Sequence, residues 1–144
     1  MITVDVILRE KGSKVQVAPP ELPIVKALQI MADNNVGALV VVQKDAVVGI
    51  FSERDYARKL VLKGRSHEDT TVQEIMTPGV ITVRPDQSID ECMEIMTNKR
   101  IRHLPVVDGG KLVGIISIGD VVKAIIAEKE VVIKHLENYI TGAR

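Results

Sequence analysis

Cysteine is almost missing from this sequence. The lone Cys92 excludes a disulfide framework and any zinc site built from several thiolates. Tryptophan is absent and aromatic residues make up 2% of the chain, as Phe51, Tyr56 and Tyr139. That is too few for the stacking platform of a single-strand nucleic-acid binder. There is no excess of one charge, because 19 basic and 19 acidic residues cancel. No global field therefore draws in nucleic acid or an anionic membrane. No apolar run reaches bilayer length. The opening MITVDVILREKGSK carries charges where a signal peptide needs an apolar stretch. The expectation is a cytoplasmic protein with neither a membrane nor a nucleic-acid partner. What is present is a chain of 144 residues, 46% apolar and 26% charged, enough to bury a core and too apolar for disorder.

An internal duplication carries most of the information. Val15–Arg58 aligns with Val80–Lys123 at a constant offset of 65 without a gap, with thirteen identities over 44 positions. Most identities are apolar, such as Ile24/Ile89, Met31/Met96 and Val41/Val106, and serve a core. Gly49/Gly114, Ser52/Ser117 and Asp55/Asp120 need a further reason. Ile24, Ala27, Leu28 and Met31 recur at helical spacing, as do Ile89, Cys92, Met93 and Met96. Two β-rich runs follow in each copy, parted by Lys44-Asp45 and by Gly109-Gly110, and read as hairpins. A second helix follows each hairpin. Short helices, VDVILREK and VQEIM, lead the two copies.

The predicted fold is thus α/β, two units of strand–helix–strand–strand–helix packed about a pseudo-twofold with two related clefts between them. The expected division is 1–64 for the first unit, 65–128 for the second and 129–144 for a C-terminal helical extension. In that extension Val132, Leu136 and Tyr139 form one stripe, suited to core burial or to a dimer contact. Gly64–Thr71 reads as an exposed link. Cys92 and the methionines read as packing, and no metal site is expected at His67, Glu68 and Asp69.

The polar pairs sit where a strand hands over to a helix, in G-I-F-S-E-R-D (Gly49–Asp55) and G-I-I-S-I-G-D (Gly114–Asp120). Ser-x-x-Asp is nearly a capping box, and helix capping alone is one reading. The same place offers free N–H groups to a phosphate and a carboxylate to ribose hydroxyls. A glycine at the strand end would let a ligand approach the backbone closely. Catalytic signatures are missing. Neither Ser52 nor Ser117 lies in G-x-S-x-G, and there is no G-K-[ST] or G-x-G-x-x-G.

Two copies of about 60 residues, each ending in glycine-x-x-Ser-x-x-Asp after a hairpin, resemble a pair of CBS domains, the cystathionine-beta-synthase repeat. The pieces KRIRHLPVVDGGKLVGIISIGDVV and FSERDYARKL are similar to stand-alone CBS-pair proteins. The resemblance implies a regulatory sensor rather than an enzyme, with no catalytic cofactor. It also implies AMP, ADP, ATP or NAD as ligand, a homodimer, and a separate effector protein that the sequence does not name. By the same resemblance Asp120 and Asp55 would hold ribose, with Ser117 and Ser52 near ribose and phosphate. Arg102 and His103 would meet phosphate in the Asp120 cleft. Lys14 and Gln16 would border adenine there, with Ile115 on the sugar or base, Val36 in the same cleft and Gly119 within the motif. In the Asp55 cleft, Gly79 and Ile81 would border adenine and Ile50 would pack on the sugar or base, with Gly37, Ala38 and Arg54 completing it.

The clefts differ in charge placement: Arg102–His103 in the Asp120 cleft corresponds to Gly37–Ala38 in the Asp55 cleft, and Gly119 corresponds to Arg54. The Asp120 cleft is expected to be the tighter AMP-type site. The competing readings are a ligand-free structural dimerisation module and, more distantly, a small hydrolase using Ser117 and His103.

Overall fold

Two β-hairpins organise the chain, and their turns explain why. Lys44 and Asp45 (φ 52° and 66°) and Gly109 and Gly110 (φ 57° and 81°) all lie in the left-handed region. Two such residues in succession match the twist of the flanking strands. Both hairpins carry a register shift at the same place, after Val41 and after Val106. The computed structural model describes residues 1–142; Ala143 and Arg144, part of the expected extension 129–144, lie outside the described residues.

The elements run in order as α1 (Val4–Lys11), β1 (Val17–Ala18), α2 (Ile24–Asn34), β2 (Ala38–Gln43), β3 (Ala46–Ser52) and α3 (Glu53–Asp55). Then come α4 (Val72–Ile75), β4 (Thr77–Pro78), α5 (Ile89–Lys99), β5 (His103–Asp108), β6 (Lys111–Ser117) and α6 (Ile118–Thr141). Strands β1-β2-β3-β4 form one sheet, with β1 parallel to β2 and the other pairs antiparallel. Strands β5 and β6 form the other. The expected first strand of the second unit shrinks to one bridge, Val83 to Val106, the equivalent of Ala18 to Val41. The helix expected after the first hairpin is α-helical for three residues and then π-helical over Tyr56–Val61, closed by Leu62 N donating to Ala57 O at 3.0 Å.

Each unit has its own core. Ala18, Ile24, Ala27, Leu39, Phe51 and Leu60 fill the first, and Val83, Ile89, Cys92, Leu104, Ile116 and Val121 the second. The lead helices cross over between them. Val4 and Ile7 of α1 are buried in the second core, while Val72 and Ile75 of α4 are buried in the first. Backbone bonds fix this exchange: Val4 N donates to Gln87 O (2.9 Å) and Ile89 N to Ile2 O (3.0 Å), while Val72 N donates to Leu22 O (2.9 Å) and Ile24 N to Thr70 O (3.0 Å). The packing therefore cuts across the chain division at 64/65, since each lead helix completes the unit that does not follow it.

The exchange accounts for Gly49 and Gly114. A Cβ on Gly114 would stand 2.6 Å from Leu8 Cδ2, and one on Gly49 would collide with Met76 Sδ. The space expected to admit a ligand is filled by a side chain of the exchanged helix. Leu8 and Met76 are equivalent at an offset of 68, as are Thr3/Thr71, Val4/Val72 and Ile7/Ile75.

Truncating a buried Ile to Ala costs roughly 2–5 kcal/mol. Ile7→Ala, measured by urea unfolding, is expected to fall in that range. Amide exchange should then show protection lost first in α5 of the second unit. Loss in α2 first would contradict the exchange.

Candidate functional site

Ser52 and Ser117 are N-caps of α3 and α6, and each makes a reciprocal capping box. Asp55 N donates to Ser52 Oγ (3.3 Å) while Ser52 N donates back to Asp55 Oδ2 (3.0 Å). The second copy repeats this at 3.2 and 2.8 Å between Asp120 and Ser117. The capping expectation is met, and it holds each carboxylate in one orientation at the mouth of its cleft.

Around those caps the two clefts diverge. Asp55 is buried, and its Oδ1 accepts from Thr77 Oγ1 (3.0 Å) and pairs with Lys59 Nζ (3.1 Å). It lines a cavity of about 630 Å³ that also takes in Gly37, Ile50, Ser52, Arg54, Gly79 and Ile81. Of the residues expected at this cleft, Ala38 is buried in β2 and does not reach the cavity. Arg58, Lys59, Thr77, Lys99, Arg100 and Ile101 also line it, and motif reading did not find them. Arg58 and Lys59 could have been found as the residues one helical turn beyond Asp55. Thr77 could not, because only the crossover of α4 brings it there.

Asp120 is held differently. Lys11 Nζ, at the end of α1, donates to Asp120 Oδ2 (2.7 Å) and to Ile115 O (3.0 Å). Partial burial works against ionisation of Asp120, but the Lys11 ammonium and the Ser117 amide outweigh it and hold the carboxyl below 3.8. Gln16 O is taken by Val40 N (3.1 Å), Val36 packs on the first core, and Lys14 and Gly119 are exposed. None of these residues lines the cavity.

Arg102 and His103, expected in the Asp120 cleft, both line the cavity of Asp55, and His103 also lies opposite Ser117 in the β5–β6 hairpin. The reason is the pseudo-twofold. Gly37 and Arg102 are equivalent, as their carbonyls accept from Glu53 N (3.1 Å) and Ile118 N (2.9 Å), and both residues line the same cavity. His103 stands between the clefts. Burial, Lys11 and Arg102 lower its pKa below 6.5, against the opposing pull of Asp120 and Glu53.

Positive charge therefore collects on one side. Arg54, Arg58, Lys59, Lys99, Arg100 and Arg102 line the cavity against Glu53 and Asp55, six cations to two carboxylates and an excess of four, in a chain of net charge zero. Among the described residues only Lys59 of the six has a carboxylate within 4.0 Å. Arg100 also carries backbone strain. It ends α5 at φ 54°, where its equivalent in the first unit is Asn35 at φ 53°. Asn tolerates that conformation, whereas a longer side chain is strained there by about 1–3 kcal/mol.

A protein-family comparison matches the CBS domain twice, over residues 6–62 and 72–127. The chain is 44% identical over 121 residues to the mitochondrial CBS domain-containing protein CBSX3 of Arabidopsis thaliana, covering 81% of this chain and 59% of that protein's length. Among solved structures it is similar to a putative signal-transduction protein with CBS domains from Burkholderia ambifaria, with 51% identity, 88% of this chain and 95% of that one covered, and a TM-score of 0.84. It is also similar to the CBS domain pair of protein MJ0100, solved with 5′-methylthioadenosine and S-adenosyl-L-methionine. That pair shares 28% identity, with 89% of this chain and 98% of that one covered, at a TM-score of 0.78. The chain belongs to the CBS domain family, and its fold is the α/β CBS pair.

His103 gives the site a pH signature. Its folded pKa lies below 6.5, so the unfolded chain binds the extra proton first on acidification and stability falls as pH drops through 6.5. Replacing it with a neutral amide, His103→Asn, is expected to flatten that part of the stability–pH curve in urea titrations between pH 5 and 8. An unchanged slope would contradict the assignment.

Proposed function

We propose that this CBS pair is a regulatory module that binds an adenine nucleotide in the Asp55 cavity and passes the signal to a separate effector protein. The observation that carries this reading is the joining, in one cavity, of a buried carboxylate and an excess of four positive charges. A volume of about 630 Å³ falls within the roughly 300–1,000 Å³ of small-molecule sites. In this reading Asp55 accepts from the ribose hydroxyls, the sharing with Thr77 and Lys59 being rearranged on binding. Ile50, Gly79 and Ile81 border the base and sugar. The phosphates run toward Arg100, Arg102 and His103, with Arg54 at the helix start.

The charge also ranks ligands. The MJ0100 pair was solved with an adenosyl thioether and an adenosyl sulfonium, neither of which carries phosphate. Here ADP and ATP gain most from the cations, AMP less and NAD through its pyrophosphate. A charge-assisted hydrogen bond contributes about 1.5–3 kcal/mol, so each phosphate–arginine contact is worth tenfold or more in affinity. An ammonium pairs with each carboxylate, Lys59 with Asp55 and Lys11 with Asp120, but the six cations gather at the Asp55 cavity. The Asp55 cavity is therefore the stronger site, which reverses the order expected from sequence. Catalysis has no comparable support: Ser117 Oγ is the acceptor of the Asp120 amide, and His103 is not among its hydrogen-bond partners among the described residues.

Thermal unfolding with AMP, ADP, ATP, NAD, methylthioadenosine and a GMP control tests this. Ligand at 100 times its dissociation constant stabilises by about 2.7 kcal/mol, a rise in Tm of roughly 5–10 °C at this size. ADP and ATP are expected to give the largest shifts. Asp55→Asn should abolish them, since the amide can still cap α3 but cannot accept both hydroxyls. Arg102→Ala should weaken the phosphate-bearing ligands tenfold or more while leaving the unliganded Tm unchanged. No shift with any ligand would favour a ligand-free structural module.

A further inference from the structure

Helix α6 outruns the body it starts on. Val121 is buried in the second core and Ala124 and Ile125 pack on its edge. Beyond Ile126 the helix continues for another 15 residues with nothing buried. That stretch is nonetheless rich in apolar side chains: Ile126, Val132, Ile133 and Leu136 are 51–56% exposed, and Tyr139 and Ile140 86% and 81%. Several are β-branched and weak helix formers, and a lone helix of this length is marginal in water. Something must cover this face for it to remain a helix.

The spacing says what. Val122, Ile125, Lys129, Val132, Leu136 and Tyr139 alternate at intervals of three and four, the seam of a two-stranded coiled coil. Ile126, Ile133 and Ile140 widen the seam on one side, and Glu128 and His135 flank it on the other. A parallel pairing in register would set Lys129 against its own copy. An antiparallel pairing centred between Glu130 and Val131 avoids this, placing Lys129 against the partner's Val132 and Leu136 against the partner's Ile125, whose seam contact adds to its packing on the edge of its own core. The same register sets Ile126 against the partner's Ile133, and Glu128 against the partner's His135, each contact occurring twice by symmetry. The overlap from Val122 to Tyr139 is about 26 Å at 1.5 Å per residue.

We propose that this face pairs with the same face of a second copy of the chain, as an antiparallel coiled coil in that register. The exposed part of the helix carries Glu128, Glu130 and Glu137 beside Lys129 and Lys134, so it lacks the cationic stripe that an anionic lipid surface would select. A seam under three heptads is short, and the dimer dissociates on dilution. The buried Lys129 lowers its stability while fixing its orientation.

Sedimentation equilibrium of the full chain from 5 to 500 μM tests the pairing. The expected result is a monomer–dimer equilibrium that Ile133→Asp and Leu136→Asp shift to monomer by at least tenfold in dissociation constant. Both sites are more than half exposed, so the unfolding midpoint of the monomer should hold. Orientation is read by oxidative cross-linking, with Cys92 silent because burial and the neighbouring Glu91 push its thiol up to about 11. Lys129→Cys and Val132→Cys proteins should cross-link when mixed and fail to cross-link alone. Self-linking of either, a dimer indifferent to the Asp variants, a monomer throughout, or a monomer that co-sediments with phosphatidylserine vesicles would each overturn the proposal.

Discussion

Everything distinctive about this molecule depends on the close approach of each lead helix to the other unit's hairpin. Gly49 and Gly114 allow that approach, since a Cβ at either would meet Met76 or Leu8. Once the helix lies there, the residues that follow it must cross the mouth of a capped aspartate. After α4 the chain pairs with β3 as β4, which delivers Thr77 to Asp55 and carries Gly79 and Ile81 to the cavity wall. After Leu8, α1 ends in Lys11, which reaches Asp120. At the offset of 68 that relates the lead helices, Lys11 is the equivalent of Gly79. From its lead helix one cleft receives the Lys11 ammonium and the other Gly79, which has no side chain, while the ammonium at Asp55 comes from Lys59 of the same unit.

Much of this was legible beforehand because the duplication is ungapped from Val15 to Lys123. The hairpins, the paired helices and the Ser–Asp caps could be read from it, and so could seven of the seventeen residues that line the Asp55 cavity. What could not be read were the contacts made outside that register. The lead helices repeat at 68 rather than 65, so Lys11 and Thr77 had no visible counterparts, and the purpose of the two glycines pointed to a ligand instead of a neighbouring helix. The resemblance alone assigns Arg102 and His103 to the Asp120 cleft. A twofold axis brings 37 and 102 to one cavity, and no local pattern encodes an axis. The π-helical turn after Asp55 also left no signal in the apolar spacing.

Capping and ligand binding are compatible uses of the same residues. Ser52 and Asp55 complete the N-terminus of α3 by their own hydrogen bonds, which fixes the carboxylate before any ligand arrives. Among the described residues five of the six cations around it have no carboxylate within 4.0 Å, and Arg100 is kept in a strained backbone conformation at the cavity edge. An array of like charges that lacks partners is stabilised most by an anion. This gives binding a direct thermodynamic route to the rest of the chain, because the cavity draws on both units and on the segment that links them.

The central claim is that the Asp55 cavity, rather than the Asp120 cleft, is the nucleotide site. Backbone amide chemical shifts during titration with ADP test it most directly. The largest changes are expected on Ser52–Asp55, Gly79–Ile81 and Arg100–His103. Changes centred on Lys14–Gln16 and Ser117–Asp120 would contradict it.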